Sequence, residues 1–195
     1  MNSTYIIIIF VTLIIVVSFL PYVFKESKRY DKIEGILKRE AKKRNGKMHL
    51  PGLLNEVEFF MLGNLAYLGM FSRPQEAMEG TILKVKLKLT KDIHVAVSYE
   101  PDFIISGLKL IGLKDIKINN LIFDDTFFVR GHPKDVVLNL FDSEIQNGLL
   151  KYKETPLKLT ITKKKLYLNL SKMLRVEEEL DDFVNLTALI VKKLA

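Results

Sequence analysis

Hydrophobic and polar positions follow different periods along the chain, and the first pattern is an apolar run. Residues 5–24 contain no charged side chain and depart from apolar types only at Thr12, Ser18 and Pro21. A helix rises ~1.5 Å per residue, so this run covers roughly the ~30 Å hydrocarbon core of a bilayer. The pattern therefore predicts a single transmembrane helix over residues 5–24, with the lipid bilayer as its partner.

The flanks of this run decide between an anchor and a cleaved signal peptide. A signal peptide usually begins with basic residues, and residues 1–4 have none, so the anchor is the favoured interpretation. The segment after the run begins with Lys25 and is basic, whereas the preceding flank is not. The positive-inside rule then predicts a single-pass protein of the cell membrane, with its N-terminus outside and its C-terminal domain in the cytoplasm.

A helical period replaces the apolar run in residues 25–46. Apolar residues recur there among charged ones at intervals of three and four, at Tyr30, Ile33, Leu37 and Ala41. Gly46 can supply the left-handed conformation that often ends a helix. This segment is predicted to be a basic juxtamembrane helix that forms a stalk.

Residues 53–71 carry two conflicting patterns. Five apolar residues fall at helical spacing, at Leu54, Val57, Met61, Leu65 and Leu68. Gly63, Asn64 and Gly69 interrupt them, and residues 57–62 and 65–70 would also suit a hairpin. Of the two interpretations, the helix is favoured.

Alternation of apolar and polar residues dominates the rest of the chain. It predicts antiparallel strands over residues 82–89, 93–99, 103–111, 157–162 and 166–170. Residues 177–194 form an amphipathic helix with acidic residues at its start and lysines at its end, which suits the helix dipole. The prediction is an α+β protein in which residues 50–195 form one domain: an antiparallel sheet of two or more hairpins, packed by the C-terminal helix.

The distribution of charge narrows the choice of partners. The chain carries a formal charge of +7, and residues 25–47 hold ten basic and four acidic residues, so the rest of the chain is close to neutral. A near-neutral domain argues against nucleic acid as a partner. The basic segment suits either anionic lipid headgroups or a solvated stalk. There is no cysteine, so disulfides and thiolate chemistry are excluded.

One motif in the chain has a recognisable pattern. Phe123-Asp124, Phe127 and Val129-Arg130-Gly131 match a Phe-Asp-x-x-Phe-x-Val-Arg/Lys-Gly signature. The chain thereby resembles a family of uncharacterised bacterial membrane-anchored proteins. The resemblance implies an architecture of N-terminal membrane segment, strands, this motif, a hairpin and a helix, but no activity. The family's preceding Gly-Asp-Pro turn is absent, because residues 119–122 read Asn-Asn-Leu-Ile.

The polar residues of this region are the candidate ligand site. They are Asp124, Asp125, Arg130, His132 and Asp135. Capping and ion pairing explain them as well as a ligand does, and no metal-ligand spacing or catalytic motif is present. No cofactor, metal or catalytic residue is therefore predicted. The favoured function is a binding or scaffolding module with an unknown protein partner. The alternative is a small membrane-tethered hydrolase or metal-dependent enzyme that uses Asp124, Asp125 and His132.

Overall fold

Eight antiparallel strands form the sheet around which the chain folds. The computed structural model describes residues 17–18, 30–49, 55–73, 78–99 and 115–195. The strands are β1 (Lys47–His49), β2 (Asn55–Met61), β3 (Asn64–Arg73), β4 (Met78–Lys86), β5 (His94–Tyr99), β6 (Phe127–His132), β7 (Leu157–Thr162) and β8 (Lys165–Leu170). Their order across the sheet is β1-β2-β3-β4-β8-β7-β5-β6. The α+β class and the antiparallel sheet are as the sequence predicts.

Helices cover one face of this sheet. They are α1 (residues 30–43), α2 (Leu121–Thr126), α3 (Lys134–Leu140), α4 (Ser143–Leu150) and α5 (Glu177–Leu194). Side-chain caps begin two of them: Asn120 accepts a hydrogen bond from the Phe123 amide at 3.2 Å, and Asp142 accepts one from the Ile145 amide at 3.0 Å. These caps satisfy amides that have no partner inside the helix.

The covered face, here the first face, holds the main core. One continuous row of residues in register crosses seven strands without any solvent exposure: Val57, Leu68, Leu83, Leu168, Leu159, Val97 and Val129. Leu37 from α1, Leu149 from α4 and Phe183 from α5 belong to the same cluster. Burial of alternate strand residues against helices explains why the period of two was readable in the sequence.

The favoured helix over residues 53–71 is wrong, because this segment forms the β2–β3 hairpin. Val57 pairs with Leu68 and Phe59 with Ala66, and all four side chains are buried. The turn at Leu62 and Gly63 has positive φ angles of 49° and 76°. Apolar residues four apart fit the period of a helix and also the period of two of a strand. The segment forms strands because β3 pairs with β4.

The structure corrects the prediction of a single-pass membrane protein. In the described ranges no helix combines the length and the apolar character needed to cross a membrane. The longest, α5, has acidic residues in its first turn and lysines in its last. The predicted transmembrane helix and the localisation built on it, with the N-terminus outside and the C-terminal domain cytoplasmic, are therefore contradicted. The predicted span 5–24 lies outside the described residues except for Val17 and Ser18, as does the predicted strand 103–111.

The predicted stalk is also corrected, since α1 packs into the domain. Ile33 and Leu37 are 2% and 0% exposed and belong to the main core. At the end of α1, Lys43 Nζ lies 2.7 Å from Glu177 Oε1 and 2.6 Å from Asp181 Oδ2. The narrow stripe that indicated a free helix is thus a buried face, and its basic residues pair with the acidic start of α5.

These ion pairs predict a loss of stability in acid. Hydrogen bonds from Lys43 lower the pKa of the Asp181 and Glu177 carboxyls. A lowered pKa in the folded state adds stability above the ordinary value of about 4, and that stability is lost as the pH falls through the lowered value. Replacing Lys43 by glutamine should therefore reduce the drop in melting temperature between pH 7 and pH 3, as measured by circular dichroism.

The exposed neighbour Lys42 supplies the control for this measurement. Lys42→Gln should leave the pH dependence of the parent chain unchanged, because Lys42 has no ion pair among the described residues. Equal slopes for the Lys43 and Lys42 variants would contradict the assignment of acid sensitivity to the contact between α1 and α5.

Candidate functional site on the second face of the sheet

The structure divides the predicted ligand cluster between two places. Asp124 is committed to the backbone, since its carboxylate oxygens accept hydrogen bonds from the amides of Ile118 at 2.8 Å and Asn119 at 3.2 Å. It closes a loop in which Asn119 has a φ of 65°. Asp125 and Asp135 are exposed on α2 and in the first turn of α3.

Two of the five candidates do lie together. Arg130 and His132 are two residues apart on the edge strand β6, so their side chains leave the same face of the sheet. That face is opposite the one on which Val129 is buried in the main core. The aromatic pair of the motif serves the main core instead, with the ring centroids of Phe123 and Phe127 5.0 Å apart.

Arg130 and His132 belong to what is here called the second face, which carries three rows of residues in register. The first row is Glu56, Gly69, Ile82, Asn169, Lys158, Ser98 and Phe128; the second is Glu58, Tyr67, Lys84, Tyr167, Thr160, Ala96 and Arg130. The third row, beside the turns, is Phe60, Leu65, Lys86, Lys165, Thr162, His94 and His132.

Two residues of the first row are apolar and buried, one on β4 and one on β6. Ile82 is 7% exposed and Phe128 is 1% exposed, yet both lie outside the cluster that forms the main core. Arg130 places its guanidinium carbon 5.6 Å from the centroid of the Phe128 ring, which suits a cation–π contact. Two apolar side chains are thus buried on the side of the sheet opposite the helices, and Asn169, Lys158 and Ser98 lie between them in the row.

Aromatic and basic side chains follow in the second and third rows. Lys86 Nζ lies 5.2 Å from the centroid of the Tyr67 ring. Tyr167 is half-buried on the central strand β8, and that burial raises the pKa of its hydroxyl, which remains protonated and able to donate a hydrogen bond. Tyrosine and lysine thus alternate across three neighbouring strands.

The positive charge of this face is only partly neutralised. Lys84 pairs with Glu56 at 3.7 Å. Within the described ranges no carboxylate pairs with Lys86, Lys158 or Lys165. The domain has little net charge because the acidic residues concentrate elsewhere, particularly in the first turn of α5. A net charge near zero therefore conceals a basic face, which sequence counting did not show.

One polar atom on this face is buried without a partner. Among the described residues, Asn169 Oδ1 accepts no hydrogen bond although solvent does not reach it. Its neighbours in register are Ile82 on β4 and Lys158 on β7. A buried acceptor without a donor is costly, by about 1–3 kcal/mol, unless a ligand or water supplies one.

Two histidines meet at the edge of the same face. His94 and His132 are paired in register across β5 and β6, and their rings are stacked with centroids 6.0 Å apart. Both are exposed. In the part of the chain that the structure describes, no three residues of the His, Asp and Glu types are grouped to hold a metal ion.

The helix layer offers shallow grooves as the competing sites. One of about 330 Å³ lies between α4 and α5, beside Gly148, Lys151, Asp182 and Leu186. Lys151 and Asp182 already pair across it at 2.6 Å. A second, of about 270 Å³, lies between the β4–β5 connection and the end of α5. Neither contains a buried polar group without a partner, so the second face has the stronger case as a ligand site.

Sequence patterns contained part of this site. The alternating lysines of β4 were expected to face water, and they do. Tyr67, Tyr167 and Asn169 carried no comparable signal. Each stands on a different part of the chain, and only the register between β3, β4 and β8 brings them to one surface.

Comparisons with known proteins give a fold but no family. No family model matches the chain, and no curated protein matches it by sequence. The chain is similar in structure to the crystal structure of the mycobacterial trehalose monomycolate transport factor A, TtfA. The TM-score is 0.52 at 10% identity, over 80% of this chain and 91% of that one. At this identity the likeness shows that the two chains share a fold.

Proposed function

From this shared fold and from the second face, we propose that the protein is a binding module that holds an anionic amphiphile. The observation that carries the proposal is the mixture of side chains on the second face. Ile82 on β4 and Phe128 on β6 are apolar side chains outside the main core, and Lys158 lies on β7 between them, with Lys86 and Lys165 two rows away. A ligand with an apolar chain and a negatively charged head would find a contact of matching chemistry for each part.

The apolar side chains of the second face favour a hydrocarbon chain over a small polar ligand. Binding sites for small molecules are mostly apolar, with a few polar groups that fix orientation. Ile82 and Phe128 meet the first condition and are separate from the main core. Tyr67 and Tyr167 extend this surface with rings that tolerate contact with both chain and head.

The lysines of the second face, including Lys158 in the first row, favour a negative charge on the head. Lys158 stands beside Asn169 in register, so an anionic oxygen bound by the ammonium would lie close to the unpartnered Asn169 Oδ1. A hydroxyl on the same head would satisfy that acceptor. The preferred head therefore carries both a negative charge and a hydroxyl, as a phosphoglycerol does.

The structural neighbour supports the binding part of this proposal. Its name describes a transport factor for trehalose monomycolate. The likeness supports a binding or transport-related role.

A tryptophan reporter tests the proposal directly. The chain has no tryptophan, so Tyr167→Trp places a single indole on the second face. We expect lysophosphatidylglycerol, below its micelle concentration, to change the indole emission and to bind at least about tenfold more tightly than lysophosphatidylcholine. A hydrogen bond to a charged group contributes about 1.5–3 kcal/mol, and 1.4 kcal/mol corresponds to about tenfold in affinity.

Two variants in the Tyr167→Trp background locate the binding. Lys158→Glu should weaken lysophosphatidylglycerol binding by about tenfold or more, whereas Lys192→Glu, an exposed change on α5, should leave it unaltered. Equal weakening by both changes, or no emission change with either lipid, would rule out the second face as the ligand site.

A further inference from the structure

The end of the sheet at which β2 turns into β3 exposes large apolar side chains. At the β2–β3 turn, Phe60 is 75% exposed and Leu62 is 60% exposed. Soluble surfaces tolerate single apolar side chains, but two large ones side by side at a protruding turn indicate contact with another apolar phase.

The backbone of this turn adds an independent observation. Leu62 and Gly63 both have positive φ angles, 49° and 76°, as in the two-residue turns that normally use Asn-Gly or Asp-Gly. A leucine is disfavoured there because its side chain crowds the backbone in the left-handed region. The Asn64 side chain holds the turn by donating to the Leu62 carbonyl at 3.1 Å. A disfavoured residue kept at an exposed position of the turn points to a role for its side chain.

Lysines line the same end of the sheet on the β4 side of this apolar turn. The register of β4, β8, β7, β5 and β6 places residues 86–94, 132–135 and 162–165 at the end where β2 turns into β3. These three segments contain seven lysines and two aspartates, namely Lys86, Lys88, Lys91, Asp92, Lys134, Asp135, Lys163, Lys164 and Lys165. We call this surface, together with Phe60 and Leu62, the basic tip.

At the opposite end of the molecule, acidic and basic residues pair with each other. There Arg175 pairs with Glu79 near the start of β4, and Lys43 and Lys172 pair with Glu177 and Glu179 in the first turn of α5. The C-terminal part of α5 instead runs beside Leu87 and Leu89, at the basic tip. The excess of lysines at the tip would orient the molecule with its tip toward a negative surface.

We propose that the basic tip docks on an anionic lipid bilayer, with Phe60 and Leu62 entering the headgroup region and the surrounding lysines contacting the phosphates. A flat surface with dense negative charge and an apolar layer beneath it matches both features simultaneously. Nucleic acid would offer the charge without a layer for the two apolar side chains. Lys86 and Lys165 belong to both surfaces, but the residues varied to test docking differ from those varied to test ligand binding.

Single labels on the full chain test the docking. Because the chain has no cysteine, Leu62→Cys and Ser171→Cys each accept one NBD fluorophore, at the tip and at an exposed position of the opposite end. Vesicles contain phosphatidylcholine with a shallow nitroxide lipid, either alone or mixed with phosphatidylglycerol. We expect the label at position 62 to shift to the blue and to be quenched only with phosphatidylglycerol, and the label at position 171 to remain unquenched.

Comparing two positions keeps the result independent of any other attachment of the chain to the vesicle. Equal quenching at both positions, or equal quenching at position 62 in both kinds of vesicle, would overturn the proposal. A blue shift at position 62 without vesicles that grows with protein concentration would also overturn it, since a second copy of the chain would then cover the tip.

Charge reversal provides the second readout. Lys163→Glu/Lys164→Glu should weaken the quenching titration at position 62 by more than about tenfold, because each lysine near an anionic surface contributes roughly fivefold. Lys42→Glu/Lys153→Glu makes the same change in total charge at exposed positions away from the tip and should leave the titration unchanged. Equal loss in both variants would mean that net charge, not the basic tip, governs binding.

Discussion

Replacing Phe123 by alanine is expected to lower the free energy of unfolding by about 3–5 kcal/mol. The side chain is completely buried, and its ring lies 5.0 Å from that of Phe127 and 5.7 Å from that of Phe141, measured between centroids. Alanine would leave a cavity between α2, β6 and the end of α3, because the backbone there is fixed by the Asn120 cap and the Asp124 loop. Urea unfolding followed by circular dichroism gives the measurement.

The same short helix provides a matched control for the Phe123 variant. Leu121 and Ile122 are 83% and 63% exposed, so alanine at either position should change the free energy of unfolding by no more than about 0.5 kcal/mol. A loss below about 1 kcal/mol for Phe123→Ala would show that the motif does not anchor α2 in the core.

Replacing Arg44 by methionine is expected to cost about 3–5 kcal/mol, because it leaves a buried carboxylate without its partner. Glu40 is 1% exposed, and its Oε2 accepts a hydrogen bond from Arg44 Nε at 2.9 Å. Arg44 also reaches Asp181 Oδ1 at 2.8 Å. Chemical unfolding of the single variant should therefore show a loss similar to that of a large core truncation.

A double-mutant cycle separates the buried charge from simple packing. Glu40→Met/Arg44→Met removes both charges while keeping two long apolar side chains, and its loss should be much smaller than that of Arg44→Met alone. Arg39→Met, an exposed change on the same helix, should be nearly neutral. If the double variant loses as much as the single one, packing of the Arg44 stem accounts for its contribution.

The sequence predicted those elements in which a single period was present. The β7–β8 hairpin and α5 each carry one clear pattern, with turns or charged termini at the expected places. The β2–β3 segment failed because its apolar residues fit two periods, and the choice depended on β4, which contributes no local signal. Similarly, α1 looked like a free stalk because its partners Glu177 and Asp181 are more than 130 residues away.

In the candidate site, too, the sequence indicated contacts between residues close in the chain but not those made between distant strands. The rings of Phe123 and Phe127, four residues apart in the motif, lie in contact although Phe127 already belongs to a strand. Of the predicted ligand cluster, Arg130 and His132 lie on one face of β6, whereas Asp124 accepts hydrogen bonds from the backbone. The lysines and tyrosines of the second face converge only through strand register, which no local period encodes.

The central pairing of the sheet has a consequence for synthesis of the chain. The ladder of β4 is completed by β8, and Val85 pairs with Leu166, about 80 residues later. At a synthesis rate of ~5–20 residues per second, the backbone groups on this edge of β4 remain unpaired for roughly 4–16 s until β8 has been synthesised. During that interval a hairpin with an apolar face and an open edge leaves the ribosome, and pairing with a neighbouring nascent chain competes with folding. The four lysine positions between Lys84 and Lys91 lie in and directly after this strand, and their mutual repulsion between chains would suppress that competing reaction.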